Sequence, residues 1–187
     1  MRQCLGRMQL DRLDVRRRPE PTLRKLQLWC AKIPSSKINF EWPSRELLQQ
    51  QDEGVYLQSI KFKSNNSGYL TSVQCNLSNG LSSPTFEQEG LAANYHQHLR
   101  TIELNRNRAL RQVKAYDNSG NWPYLHDLRF LDGSGNVVHS YDPTNKNYAE
   151  SSVREISERE EIIGVYGQKD GSYWLKSFGF IVRLNPE

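Results

Sequence analysis

The chain has 187 residues, 36% of them hydrophobic and 25% charged, which suits one domain around one core. No apolar run approaches the roughly 20 residues of a membrane-crossing helix, and no apolar stretch near the N-terminus reads as a signal peptide. The net charge of +4 is unevenly placed: residues 1–37 hold ten Lys/Arg against three Asp/Glu, whereas residues 38–187 hold fifteen against eighteen, so the body lacks the basic, aromatic-interleaved face of a nucleic-acid binder.

Residues 1–37 contain Arg16-Arg17-Arg18, Pro19 and Pro21 and no apolar alternation. They are expected to form a disordered or loosely attached basic extension, leaving 38–187 as the folded domain. An arm for phosphate or acidic partners is one role for such a segment. An organellar presequence is another, opposed by Asp11, Asp14, Glu20 and the scarcity of Ser. A strand is expected around Ile38-Asn39-Phe40, then a short Glu/Gln-rich polar segment. Further strands are predicted over 55–63, 69–77, 98–105, 109–116, 124–131, 136–140, 161–166 and 174–183. The turns between them carry Ser64-Asn65-Asn66-Ser67-Gly68, Asn79-Gly80, Asn105-Arg106-Asn107-Arg108, Asp132-Gly133-Ser134-Gly135-Asn136 and Lys169-Asp170-Gly171, where Gly and Asn supply positive φ. Ser151 to Glu161 offers only Val153 and Ile156 for burial before Ile162, which predicts a loop or short turn leading into a strand. No helix of ordinary length is predicted in the body.

One pattern recurs six times: Leu, two residues, an apolar residue, one residue, then another small or apolar residue. The copies begin at Leu57, Leu70, Leu99, Leu110, Leu125 and Leu175. The last two apolar positions of each copy lie two apart and share one strand face. The copies pair across hairpin-length polar segments, including 99 with 110 across 105–108. A repeated hairpin unit predicts an all-β fold of similar sheets. By the same alternation Phe62, Phe130, Phe178 and Phe180 are core residues.

The stretch from Glu53-Gly54-Val55-Tyr56-Leu57 through Gly80 resembles the first Greek key of the jacalin-related lectins. His98 to Asp117 resembles their central hairpin, and Leu125 to Phe130 with Asp132-Gly133-x-Gly135 resembles their strand-and-polar-turn element. The closing run is the most specific: Ile162-Ile163-Gly164-Val165-Tyr166-Gly167, a polar loop, then Tyr173-Trp174-Leu175-Lys176-Ser177-Phe178-Gly179-Phe180 is similar to their C-terminal hairpin. The resemblance covers residues 54–183. It implies a β-prism of three Greek-key, four-stranded sheets with pseudo-threefold symmetry. It also implies sugar binding through loops at one end, where an Asp of a Gly-x-x-x-Asp motif accepts from sugar hydroxyls and backbone N–H groups donate to others. In this chain Lys176 stands at that Asp, Ser172 stands at that Gly, and residues 38–53 lack the family's Gly-rich loop. Asp170, six residues before Lys176, is the candidate replacement acceptor. Lys176 offers donors only.

The remaining chemistry is sparse. Cys4, Cys30 and Cys75 form no disulfide framework, and Cys75 reads as a buried free thiol, which favours a reducing, intracellular location such as the cytoplasm. Asn65 and Asn76 lie in Asn-x-Ser sequons. His96-x-His98 lacks further ligands at metal-site spacing, and His126 and His139 read as structural or surface histidines. Gly133-Ser134-Gly135 is a turn, not a nucleophile elbow. Glu158-Arg159-Glu160-Glu161 reads as a solvated charge run. Trp122, Tyr124, Tyr166, Tyr173 and Trp174 lie in or beside loops, where aromatic rings stack on sugars or anchor partners. The expectation is a binding module with no catalytic residue, cofactor or metal. Its candidate ligand contacts are Gly167, Asp170, Ser172, Tyr173, Trp174, Lys176 and Trp122. The candidate partners are glycans, a protein partner, or a second copy of the chain meeting it at a strand edge.

Overall fold

The computed structural model describes residues 22–30, 37–50, 54–87, 98–104, 110–117, 124–141, 148–170 and 175–184. The elements are β1 (Thr22–Cys30), β2 (Lys37–Trp42), α1 (Arg45–Gln50), β3 (Leu57–Ser64), β4 (Leu70–Leu77), β5 (Phe86–Glu87), β6 (His98–Glu103), β7 (Gln112–Asp117), β8 (Leu125–Leu131), β9 (Val137–Tyr141), β10 (Ala149–Glu155), β11 (Glu160–Asp170) and β12 (Leu175–Leu184). They form three four-stranded sheets: β1-β12-β11-β2 (the terminal sheet), β5-β4-β3-β6 (the second) and β10-β7-β8-β9 (the third). Every pairing is antiparallel.

The second and third sheets are each a Greek key: three consecutive strands lie side by side, and the fourth returns beside the first. The terminal sheet is the same key if β11, β12, β1 and β2 are read in that order, as though the two chain ends were joined. The same four-strand unit therefore occurs three times, and the chain ends fall inside one copy. This arrangement corrects the expected boundary at residue 38. Thr22–Cys30 is not a loose extension but the strand that completes the terminal sheet, pairing with β12 from Thr22↔Leu184 to Cys30↔Ser177. Without β1, the apolar strand Leu175–Leu184 would lie at an open sheet edge.

The six-copy pattern has a structural cause. Residues i and i+3 of a regular strand point to opposite faces, so a Leu three residues before the next inward residue needs one extra residue between them. The central strand of every key supplies it. Leu70 pairs with Ser64 and Ser72 with Lys63, leaving Thr71 out of register. Leu125 and Asp127 likewise flank His126, and Leu175 and Ser177 flank Lys176. These are β-bulges, and they turn Leu70, Leu125 and Leu175 inward to 2%, 2% and 4% exposure. β3 bulges after Leu57 in the same way. β6 has no bulge, and its Leu99 is 59% exposed.

Behind those leucines the inner faces of all three sheets meet. Phe62 of β3 packs on Tyr141 of β9 (ring centroids 5.0 Å apart) and on Phe178 of β12 (6.0 Å), while Phe180 packs on Phe130 of β8 (5.9 Å). The four core phenylalanines have no exposed surface, as alternation predicted. Cys75 is a buried free thiol, and burial pushes its pKa up, so it stays protonated and unreactive. The outer strands close the sides. Arg154 donates to the Gln27 carbonyl (2.7 Å) and Ser152 to that of Leu28, joining β10 to β1. Phe40 stacks on Phe86 at 4.7 Å and Lys169 donates to the Glu87 carbonyl at 2.7 Å, joining the terminal and second sheets.

Three further expectations are corrected. The segment at 151–155 is not a loop: Ala149–Glu155 is a strand paired with β7, and as an outer strand with mostly exposed side chains it carries little alternation to read. The Leu99 and Leu110 copies do not form a hairpin. β6 pairs with β3, whereas β7 pairs with β8 and β10, so the polar segment between them crosses from one sheet to another. The last hairpin does not turn at 169–171, because β11 continues through Asp170. Part of the Glu158–Glu161 run is also not solvated: Glu160 pairs with Arg24 and Glu161 with Arg183, both at 2.6 Å.

Two substitutions separate bulged from unbulged leucines. Leu125→Ala should cost about 2–5 kcal/mol, and Leu99→Ala less than about 0.5 kcal/mol, both read from urea unfolding midpoints at constant m-value. Glycine in the terminal sheet offers an independent check. A Cβ at Gly167 would sit 2.3 Å from the Ser177 carbonyl oxygen and 2.5 Å from the Phe40 ring, whereas one at Gly54 would meet nothing within 4 Å. Gly167→Ala is expected to lose about 1–3 kcal/mol and Gly54→Ala to stay within about 0.5 kcal/mol of the parent.

Candidate functional site

The strand register gathers one set of connections at one end of the three sheets. At this end β1 closes on β12 at Cys30↔Ser177, β2 on β11 at Lys37↔Asp170, and β6 on β3 at Ser64↔His98. β8 starts there at Asp117↔Leu125, and β10 starts there at Ala149↔Asp117. The contacts of Phe62 with Tyr141 and Phe178 bring these ends of the sheets together. The strands flanking residues 31–36, 88–97, 118–123, 142–147 and 171–174 all end here, as does the turn 65–69. We call this the loop end. Leu70, Leu125 and Leu175 form its floor.

The turn 65–69 shows how the sequence fixes a rim residue. Asn65 is buried, and its Oδ1 accepts from the N–H groups of Ser67 (3.0 Å) and Tyr69 (2.9 Å). Its own N–H donates to the Tyr69 carbonyl at 3.1 Å. The carboxamide acts as a backbone mimic that closes the turn, so this sequon asparagine has a structural role. Asn76, the other sequon residue, donates to Ser59 Oγ (2.9 Å) and accepts from Ser82 (2.7 Å) on the outer face of its sheet.

An aromatic cluster stands at the same end, where the second and third sheets meet. Tyr69 lies 4.5 Å from Tyr124 and edge-on to His126 at 4.7 Å. His126 stacks on Tyr148 at 4.0 Å with 18° between the planes. The tyrosines are half-buried, and His126 is 2% exposed. His126 is the bulge residue of β8, as Thr71 is of β4 and Lys176 of β12. On the outer face of the third sheet, Arg129 donates to the fully buried Asp127 at 2.7 Å and covers the Tyr116 ring at 4.3 Å. Tyr141, deep in the same seam, has its pKa raised by burial, opposed by the Ser64 hydroxyl and by Arg100. Among the described residues no group of three His, Cys, Asp or Glu is placed to hold a metal.

The candidate contacts from the sequence are distributed as follows. Gly167 lies inside β11, buried beneath the Phe40 ring. Asp170 is the last residue of β11, paired with Lys37 through the backbone, and Lys176 is the bulge residue of β12. Both therefore border the 171–174 connection. Ser172, Tyr173, Trp174 and Trp122 lie outside the described residues. Tyr166 is away from the loop end: its ring lies over Gly179 on the outer face of the terminal sheet, with the Lys25 ammonium 5.3 Å above it. Tyr124 joins the cluster, whereas Tyr69, His126 and Tyr148 were not expected as site residues. A signal for Tyr69 was present, because an aromatic residue precedes the bulged Leu in all three central strands: Tyr69-Leu70, Tyr124-Leu125 and Trp174-Leu175.

Comparison with solved structures follows this geometry closely. Calystegia sepium agglutinin superposes with a TM-score of 0.57 at 12% identity, covering 89% of this chain and 99% of that one. Artocarpin complexed with methyl-α-mannose gives 0.53 at 17% identity, covering 89% and 100%. The fold is the jacalin-type β-prism. A mannose-binding jacalin-related lectin from Ananas comosus matches the prism with a TM-score of 0.52 at 16% identity, covering 87% of this chain and 98% of that one. No protein-family model and no curated protein sequence matches this chain. At these identities the likeness establishes the prism and its three Greek keys.

The Asp127–Arg129 pair under the rim is asymmetric, and this predicts unequal effects of removing either partner. Arg129 is partly exposed and can rehydrate, whereas Asp127 cannot. Arg129→Ala should therefore cost about 3 kcal/mol, by leaving a buried charge without its cation. Asp127→Asn should cost measurably less. Chemical denaturation of the two variants at neutral pH checks the order.

Proposed function

We propose that this chain is a non-catalytic carbohydrate-binding module whose glycan contacts are made at the loop end of the prism. The observation that carries this reading is the convergence of six connections over one floor of leucines, on a fold that artocarpin shares in its methyl-α-mannose complex. Such an end offers what a polyhydroxylated ligand needs: backbone donors and acceptors from several loops, with aromatic faces beside them.

The 171–174 connection, with Asp170 and Lys176 at its two ends and Trp122 in the neighbouring 118–123 connection, is the expected place of contact. Ser172, Tyr173 and Trp174 complete it. Lys176 stands where the family resemblance puts an acceptor carboxylate, which favours an altered site in which Asp170 accepts instead. The same substitution supports a second reading, a protein-interaction module that kept the prism and lost sugar recognition, because an ammonium offers donors only.

A glycan array probed with the full chain separates the two. The carbohydrate reading expects selective binding to a subset of glycans. Relocation of the acceptor to Asp170 expects Asp170→Ala to reduce that binding at least tenfold while the unfolding midpoint is unchanged. A folded protein that binds no printed glycan would overturn the carbohydrate reading in favour of the interaction module.

A further inference from the structure

We propose that the seam between the second and third sheets at the loop end is a separate carbohydrate seat, formed by Tyr69, Tyr124 and Tyr148 around His126 and taking the apolar C–H face of one pyranose ring. This inference rests on the carbohydrate reading but places a sugar away from the 171–174 connection, on residues of β4, β8 and β10 rather than of β11 and β12.

Three observations carry it. The rings come from three separate segments: the 65–69 turn, the start of β8 and the residue before β10. They nevertheless form one continuous stack, with centroid separations of 4.5, 4.7 and 4.0 Å. Each ring is held by its own backbone device. Tyr69 is held by the two bonds that close its turn on Asn65, at 2.9 and 3.1 Å. Tyr124 and His126 are held by the bulge that leaves His126 out of register, and Tyr148 by the pairing of the following residue, Ala149, with Asp117. The composition also differs from that of the core. The core contacts between sheets use phenylalanines with no exposed surface, whereas this seam uses half-buried tyrosines and a histidine. Phenylalanine fills a dry interior as well as tyrosine does. A tyrosine at the rim adds a hydroxyl beside a hydrophobic face, the combination that matches a sugar ring with C–H bonds on one side and hydroxyls at its edge. Rings fixed before binding also lose little side-chain entropy on contact.

The test compares single substitutions on the same glycan array, with the full chain throughout. Tyr69→Ala and Tyr148→Ala should each weaken binding of the selected glycans about three- to tenfold, the loss expected for one aromatic stacking contact. Tyr69→Phe and Tyr148→Phe, which keep the rings, should retain most of the binding. In the parent protein, nuclear Overhauser effects from assigned Tyr69 or Tyr148 ring protons to sugar C–H protons should appear, and this readout needs no substitution to fold. Folded alanine variants that bind as the parent does, with no such effects, would sink the seat and leave the cluster as packing. Loss of binding in Asp170→Ala alone would uphold the carbohydrate reading and reject this seat. A parent that binds no glycan at all would reject both.

Discussion

One extra residue at the start of each central strand governs how this prism can be filled. A strand alternates strictly, so without the bulges at Thr71, His126 and Lys176 the leucines before them would point outward and the loop end would lie over a hole. With the bulges, Leu70, Leu125 and Leu175 close the top of the core, and the inward residues beneath them continue in step: Val73 and Cys75, Leu128 and Phe130, Phe178 and Phe180. Leu99 shows the converse. Its copy of the pattern lacks the bulge, and its side chain lies on the surface.

The bulges work only if the sheets that carry them are closed. Each key leaves two outer strands, and the prism brings them together in pairs. Side chains of β10 reach the carbonyls of β1, and Phe40 of β2 meets Phe86 of β5. The terminal sheet needs strands from both ends of the chain, so its completion is the most non-local step of folding. Two glycines let that sheet pack at close range. Gly167 receives the Phe40 ring on its inner face, and Gly179 receives the Tyr166 ring on its outer face. An aromatic laid across a strand glycine restores the contact that the missing side chain would have made.

Much of this was legible in the sequence because the bulge leaves a trace. A Leu spaced by three from a pair spaced by two breaks strand alternation in a fixed way, and the break recurs. β1 was harder to read. Its inward residues Leu26 and Leu28 alternate over a short span beside Arg and Pro, and its partner lies at the other end of the chain. β10 left almost no trace, because its side chains are mostly exposed and it works largely through Ser152 and Arg154. The crossing between β6 and β7 was hidden because a short polar segment has the same composition whether it turns a hairpin or changes sheets. At the site, the aromatic before each bulged Leu could be read once the bulge was understood. Tyr148 could not, since it precedes an outer strand that has no such motif.

The division between floor and rim explains how a prism can keep its fold while its binding site changes. The leucines, the buried phenylalanines and the close-packed glycines answer to the core, where a change in volume is felt at once. Gly167 belongs to this group, although its position beside the last loop made it look like a ligand contact. The residues around the floor answer to solvent. The bulge positions stand between the two: the backbone irregularity is required, but the side chain it carries differs in every sheet, with Thr71 donating to the Lys63 carbonyl at 3.1 Å, His126 stacked among tyrosines, and Lys176 where the resemblance places a carboxylate. One structural device thus presents three chemistries at one end of the molecule, so recognition can move from one seam of the prism to another without disturbing the core that positions it.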